Sequence, residues 1–150
     1  MSFGPYTCAK PVNRGMTRLP LTDYRYIAIL LWMFETIFFK TSRGDKPVLE
    51  FIKDIDNIKD RAKVFSYLDR LEKDGFLPEP YSKSISGIRK LRELRIKSSS
   101  NVYRIFYFIS TGGKIILLHA FSKKTQKTPK REIEIAIKRM NEFLEASHEK

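Results

Sequence analysis

The residues of this chain that could do chemistry lie near one histidine and a run of cations. His119 stands in the apolar segment LLHAFS, and the stretch that follows holds Lys123, Lys124 and Lys127 with no acid among them. Imidazole titrates near neutral pH, and clustered ammonium groups stabilise negative charge. The pattern predicts that these residues bind an anionic substrate or transfer protons to and from it. A core histidine bonded to backbone is the alternative.

Positive charge is concentrated in one third of the sequence. The 150 residues hold 29 Lys and Arg against 17 Asp and Glu, a formal net charge of +12. Residues 86–131 contribute twelve of the basic side chains and one acid, Glu93. A surface without a binding role more often mixes its signs. The segment therefore predicts a face for a polyanion, with nucleic acid or a membrane surface as candidates.

Arg104 stands in the most apolar predicted strand, VYRIFYFIS. A buried guanidinium needs a partner, so Arg104 either pairs with Glu93 or faces a polar groove, where it can bind phosphate in a bidentate way. In the preceding strand, alternation puts Arg95 on the face of Glu93 and Lys97. Arg92 then lies on the opposite face, so Arg95 is the better candidate for the same groove.

Three aromatic residues, Tyr103, Tyr107 and Phe121, are candidates for stacking on nucleobases, with core packing as the simpler alternative for each. Glycine-rich phosphate loops, zinc-spaced clusters and paired-carboxylate motifs do not occur in the sequence, so neither a metal nor a cofactor is expected. The single cysteine, Cys8, excludes an internal disulfide and a cysteine-based zinc site. It also fits a cytoplasmic location.

The elements that must position these residues follow the order β-α-α-β-β-β-α, which predicts an α+β fold with an antiparallel meander packed against helices. The predicted elements are a strand within residues 26–40, helices over 47–55 and 60–73, strands over 90–97, 102–110 and 114–122, and a helix over 129–145 that begins at Thr128-Pro129. The buried helix faces are predicted to be Val48, Phe51, Ile52 and Ile55; Ala62, Phe65, Leu68 and Leu71; and Ile133, Ile137, Met140 and Leu144 with Ala136 and Phe143.

The N-terminal apolar run, YIAILLWMF, is too short to span a membrane, which needs about 20 residues. No small-residue cleavage pattern follows it, so a secretion signal is also disfavoured. A buried strand that begins in or near this run is the prediction.

The segments KLRELRI, YRIFYF and ILLHAFSKKTQKTPKREIEIAIKRM together resemble the HigB-like, phage-derived Gp49-like branch of the RelE/ParE toxin superfamily. The resemblance runs from about Met33 to Phe143 and is most specific in HAFSKKTQKTP. It implies a RelE-like toxin domain over residues 33–146, preceded by an extension of residues 1–32 and followed by a short tail of residues 147–150.

The resemblance implies the toxin of a type II toxin–antitoxin system, an endoribonuclease that cleaves mRNA in the ribosomal A site and inhibits translation. Its partners would be mRNA, the ribosome and a HigA-like helix-turn-helix antitoxin, with no membrane. Such toxins need no metal, because the RNA 2′-hydroxyl attacks the adjacent phosphate while basic side chains move protons and stabilise charge. A non-catalytic nucleic-acid-binding module and a ParE-type gyrase poison are the alternatives.

By position, the resemblance assigns catalytic parts to Arg104, Arg95 and Lys124, and chemistry adds His119 as candidate general base. Glu93 departs from the pattern, because it stands where a RelE toxin would have a catalytic lysine, and no late tyrosine corresponds. The side chains expected to bind RNA or its phosphates are Lys90, Arg92, Lys97, Lys123, Gln126, Lys127, Tyr103 and Phe121.

Overall fold

The computed structural model describes residues 34–123 and 128–148. Five strands form one sheet: β1 (Glu35–Phe38), β2 (Ser82–Ser84), β3 (Arg92–Lys97), β4 (Val102–Ser110) and β5 (Lys114–Lys123). Three α-helices accompany it: α1 (Pro47–Lys53), α2 (Ile58–Asp74) and α3 (Lys130–His148). The α+β class is confirmed. The expected extension, residues 1–32, lies outside the described residues, as do Lys124, Gln126 and Lys127.

Helices α1 and α2 begin and end at residues that favour helix boundaries. Pro47 opens α1, where no helical hydrogen bond is lost with its missing N–H. The Asn57 side chain accepts hydrogen bonds from the N–H groups of Lys59 and Asp60 and caps α2. Gly75 ends α2 at a φ of 66°, which glycine adopts without strain. Both predicted helices are therefore confirmed with small shifts of their ends.

The buried face of α2 differs from the predicted one. Val64, Leu68 and Leu71 are buried, whereas Ala62 and Phe65 are exposed. The prediction followed steps of three residues, and such a stripe drifts around a helix of about 3.6 residues per turn. The N-terminal half of the predicted buried face, Ala62 and Phe65, was therefore wrong.

The sheet has the strand order β1-β5-β4-β3-β2, with β4 at its centre as predicted. Strands β3, β4 and β5 form the predicted antiparallel meander. The first strand, whose pairing was not predicted, pairs parallel with β5. The crossover through α1 and α2 is long enough for parallel pairing. Strand β2 was missed, since its three residues, SKS, carry no apolar alternation.

Alternation along β4 sends its side chains into two cores. Tyr103, Ile105 and Tyr107 join a core with the apolar residues of α1 and α2, and we call this side of the sheet the α1/α2 face. Phe106 and Phe108 point to the other side, the α3 face. There they join a second core with the helix residues Ala136, Met140, Ile133, Ile137, Phe143 and Leu144. The predicted apolar stripe of α3 is confirmed.

A β-bulge in β5 determines which side chains reach the α3 face. Phe106 pairs with His119, whereas the next residue, Tyr107, pairs with Leu117, so Leu118 is the extra residue. A bulge re-aims the side chains of its strand. From His119 onward, β5 therefore presents alternate residues to the same face as Arg104.

Candidate functional site

A buried carboxylate, Glu93, holds two arginines on the α3 face. Its side chain is only 1% exposed, and its Oε1 accepts a hydrogen bond from Arg95 Nε at 2.9 Å. Arg104 Nη1 donates a short hydrogen bond to the same oxygen. The pairing of Arg104 with Glu93 was one of two alternatives left open by the sequence, and it is confirmed. Such a pair supplies hydrogen bonds and a counter-charge to a guanidinium whose burial would otherwise cost several kcal/mol of free energy, on the order of the penalty for a buried unpaired ion.

Thr128 completes this cluster from the segment before α3. Its hydroxyl accepts a hydrogen bond from Arg104 Nη1 at 2.8 Å and donates one to Glu93 Oε2 at 3.1 Å. The hydroxyl predicted to cap the helix thus lies within the ion pair, and α3 begins at Lys130. The start of α3 is tied directly to the buried charges of the sheet.

Lys123 is the third cation of the cluster. It was expected in a loop, but it is the last residue of β5 and only 7% exposed. Its Nζ has no hydrogen-bond partner among residues 34–123 and 128–148. Burial, followed by the charge of Arg104, lowers the pKa of the Lys123 amine from its ordinary value, and Glu93 only partly opposes this.

Three cations therefore surround one carboxylate, and we call Glu93, Arg95, Arg104 and Lys123 the cationic cluster. Arg95 is the member open to solvent, with 34% of its side chain exposed. The excess of positive charge in a half-buried setting favours an anion with several oxygens, such as a phosphate, because arginine can bind such groups in a bidentate way.

A shallow cleft of about 370 Å³ lies beside the cationic cluster. It is formed by the turn between β3 and β4 together with the end of β5. The residues that line it are Lys97, Ser98, Ser99, Ser100, Asn101, Val102 and Lys123. Hydroxyl, amide and ammonium groups therefore border the space, and all of them can bond to phosphate or sugar oxygens.

His119 lies on the α3 face, but its ring is bonded on both sides. Nε2 forms a short hydrogen bond to Glu132 Oε2, and Nδ1 lies 3.0 Å from Arg139 Nη1. Both partners belong to α3, and Arg139 also donates to the Leu118 carbonyl at 2.9 Å. His119 therefore joins β5 to α3 instead of presenting a free nitrogen to an open groove.

The two hydrogen bonds of the His119 ring show which of its nitrogens carries the proton. Arginine only donates, so Nδ1 accepts from Arg139 and Nε2 carries the proton given to Glu132. Burial lowers the pKa of His119 below its ordinary 6.5, and the positive charge of Arg139 lowers it further, against the effect of Glu132. The ring is thus neutral at pH 7.

The aromatic candidates lie on opposite faces of the sheet, with Tyr103 and Tyr107 on the α1/α2 face and Phe121 on the α3 face. Phe121, partly buried on the α3 face, stacks on the His119 ring with a centroid distance of 5.9 Å. Tyr103 is buried on the α1/α2 face, where its hydroxyl donates to Asp60 at 2.8 Å and its ring contacts Phe51. Burial and the Asp60 bond raise the pKa of Tyr103. Tyr103 therefore packs in a core, the simpler of its two alternatives, on the face opposite the cationic cluster.

The remaining predicted phosphate ligands are not gathered at one place. Arg92 lies on the α1/α2 side, where its Nε is 3.3 Å from the Tyr107 hydroxyl and its guanidinium covers the Phe76 ring. Lys90 is exposed in the loop before β3, with a φ of 71°. Lys97 is exposed at the cleft. For Lys124, Gln126 and Lys127 the predictions fall outside the described residues.

Three residues with polar roles on the α3 face were missed from the sequence: Thr128, Glu132 and Arg139. Thr128 had been interpreted only as a helix cap. Arg139 lies next to Met140 in the apolar stripe of α3, and Glu132 lies next to Ile133. Charged residues beside an apolar stripe are a signal that the helix packs against polar groups, but their partner on β5 is visible only after folding.

Within residues 34–123 and 128–148, His, Cys, Asp and Glu side chains do not come together in a group of three or more that could hold a metal ion. In the same part of the chain, every helix is too short or too polar to cross a membrane.

Comparison with known proteins gives two concordant results. The family described as Phage derived protein Gp49-like (DUF891) matches residues 50–141. The chain is also 35% identical over 103 residues to proteins named "Probable endoribonuclease HigB1" from two strains of Mycobacterium tuberculosis. The matched region covers 68% of this chain and 78% of each relative. The family match includes the strands that carry Glu93 and Arg104.

Proposed function

The chain is a HigB-like member of the Gp49-like family, and on this premise we propose that it is the toxin of a type II toxin–antitoxin system. Its activity would be that of a metal-independent endoribonuclease, which cleaves mRNA on the ribosome and so inhibits translation. The relatives named as probable endoribonucleases support the nuclease activity.

The observation that carries the proposal is the cationic cluster. Two arginines and a buried lysine surround one carboxylate, and Arg95 opens the group to solvent. Phosphodiester cleavage by the 2′-hydroxyl passes through a phosphorane-like state with added negative charge on its oxygens. Cations held in place beforehand stabilise that added charge more than they stabilise the charge of the ground state.

The arginines take different parts in this proposal. Arg95 binds the incoming phosphate, because it is exposed and its Nε alone is bonded to Glu93. Arg104 is held by Glu93 and Thr128, so it provides fixed positive charge behind the phosphate. Lys124, matched by position to a late basic residue of related toxins, remains a proposed catalytic residue. Phe121 is the proposed stacking surface for a base.

His119 is assigned a positioning part. Its nitrogens are both bonded to α3, so service as a general base would first require the Arg139 bond to break. With those bonds intact, His119 fixes the end of β5 that carries Phe121 and Lys123. Replacement of His119 should therefore lower activity together with the stability of the α3 contact.

The proposed partners are mRNA, the ribosomal A site and a cognate helix-turn-helix antitoxin, and the proposed location is the cytoplasm. The net charge of +12 supports an anionic partner. Ribosomal RNA and mRNA supply phosphates, and an antitoxin with an acidic surface could neutralise the same face.

The test is expression in a bacterial host, followed by mapping of RNA ends. We expect growth arrest and new mRNA ends for the wild-type chain. Arg95→Ala should relieve both, because an exposed phosphate ligand is lost without loss of the buried pair. Lys114→Ala, a change to an exposed lysine at the opposite end of β5, is the matched control and should remain toxic.

Two other outcomes identify the alternative functions. Salt-dependent RNA binding without any cleavage would indicate a non-catalytic binding module. Growth arrest with intact mRNA and accumulated DNA breaks would indicate a gyrase poison. Either result contradicts the proposed ribonuclease.

A further inference from the structure

The burial of the Lys123 amine is not explained by the packing of the core or by an ion pair. Its side chain is 93% buried and its Nζ has no hydrogen-bond partner among residues 34–123 and 128–148. A lysine that only packed would normally reach solvent or a carboxylate with its amine. Burial of an amine without a hydrogen-bond partner costs free energy, and groups buried at such a cost cluster at functional sites.

The charges that face Lys123 come from the two neighbouring strands. Arg104 on β4 and Arg95 on β3 are cations, and Glu93 on β3 is the single carboxylate. Glu93 is already occupied, because it accepts bonds from both arginines and from Thr128. Burial and the charges of the two arginines favour a neutral amine over an ammonium, and Glu93 opposes them only in part. Lys123 also lines the cleft formed with the β3–β4 turn.

We propose that Lys123 Nζ is the general base that takes the proton from the RNA 2′-hydroxyl, with the scissile phosphate held between the cleft and Arg95. This inference rests on the proposed ribonuclease function and names the proton acceptor that His119, bonded on both nitrogens, does not provide. The amine is covered in the substrate-free protein, and rotation of the long lysine stem brings it to the cleft that its own side chain lines.

The chemical step balances without a metal. The proton of the 2′-hydroxyl passes to the neutral amine, the O2′–P bond forms, and the P–O5′ bond breaks. The leaving O5′ takes a proton from water, and the Lys123 ammonium later returns its proton to solvent. The products are a 2′,3′-cyclic phosphate and a 5′-hydroxyl.

The decisive experiment measures single-turnover cleavage of mRNA, free or on programmed ribosomes, from about pH 6 to about pH 10. For the wild-type chain we expect the rate to rise with pH and level off below the ordinary lysine pKa of 10.5. Lys123→Arg keeps a positive charge that does not titrate. It should lower the rate about 100-fold or more and abolish the rise with pH.

A second variant separates catalysis from folding. Lys123→Met removes a buried amine and keeps a similar volume, so it should raise Tm by about 2–4 °C while cleavage is lost. Lys114→Met, at the other end of β5, is the control for both measurements. If Lys123→Arg cleaves RNA with the wild-type pH profile, the general-base proposal fails and the ribonuclease stands. If Lys123→Met lowers Tm and leaves cleavage intact, Lys123 is structural. An RNA left intact by the wild-type chain overturns both proposals.

Discussion

The two faces of the sheet treat buried polar groups differently. On the α1/α2 face, the Tyr103 hydroxyl donates to the Asp60 carboxylate at 2.8 Å, and the surrounding side chains are apolar. On the α3 face, a buried carboxylate, Glu93, is shared by two arginines, and Lys123 is buried beside them without a hydrogen-bond partner in the described part of the chain. One face satisfies its buried polar side chains with hydrogen bonds, and the other collects an excess of cations.

The difference shows how one strand can serve both folding and a site. Alternate residues of β4 point to opposite faces, so Ile105 and Tyr107 stabilise one core while Arg104 reaches the cationic cluster. Changes on the α1/α2 face should therefore alter stability without changing chemistry. Changes among the cations should alter RNA cleavage more than stability, with Glu93 as the residue on which both depend.

The largest effect is expected for Glu93→Gln. Removal of its charge takes a buried counter-charge from Arg104, so the free energy of unfolding should fall by about 3–5 kcal/mol. Chemical denaturation measures the loss. Glu142→Gln, which alters an exposed pair with Lys138, is the control and should change the free energy of unfolding by less than about 0.5 kcal/mol. Equal effects for the two variants would contradict the structural role of the buried pair.

On the opposite face, Ile105→Ala should lower the free energy of unfolding by about 2–5 kcal/mol, because Ile105 is fully buried and a cavity remains. Denaturation gives this value, and RNA cleavage measured well below Tm should stay at the wild-type rate. A folded Ile105→Ala variant that has lost cleavage would show that the two faces are not separate in function.

A smaller effect is expected for Tyr103→Phe. The substitution leaves the buried Asp60 carboxylate without its tyrosine donor, and the free energy of unfolding should fall by about 1–3 kcal/mol. Tyr81→Phe, at a more exposed ring, is the control, with an expected change below about 0.5 kcal/mol. An unchanged free energy of unfolding for Tyr103→Phe would contradict the structural role of the bond to Asp60.

The smallest effect concerns pH. The pKa of His119 is lower in the folded chain than its ordinary 6.5, so the unfolded chain takes up a proton first as pH falls. The stabilisation by neutral His119 is present above pH 6.5 and is lost as pH falls from there through the folded pKa. The difference in unfolding free energy between wild type and His119→Gln should shrink over that window. A difference that grows on acidification would contradict the assigned neutral ring.

The strands and helices with strong periodicity could be predicted from sequence, as could the partnership of Arg104 with Glu93. Strand β2 could not, because its three residues have no apolar alternation. The contacts of His119 could not be predicted either. They depend on the β5 bulge and on how α3 packs, which join residues 13 and 20 positions apart. The burial of Lys123 was missed because a run of lysines indicates a solvated loop, whereas β5 extends through its first member.

The most direct test of the central claim is the chemistry of the RNA ends left by the purified full-length chain in the presence of EDTA. Attack by the 2′-hydroxyl predicts a 2′,3′-cyclic phosphate on one fragment and a 5′-hydroxyl on the other, with Arg95→Ala much slower and Lys114→Ala unchanged. Fragments with a 5′-phosphate and a 3′-hydroxyl, or cleavage that EDTA abolishes, would contradict a reaction driven by the cations of the α3 face.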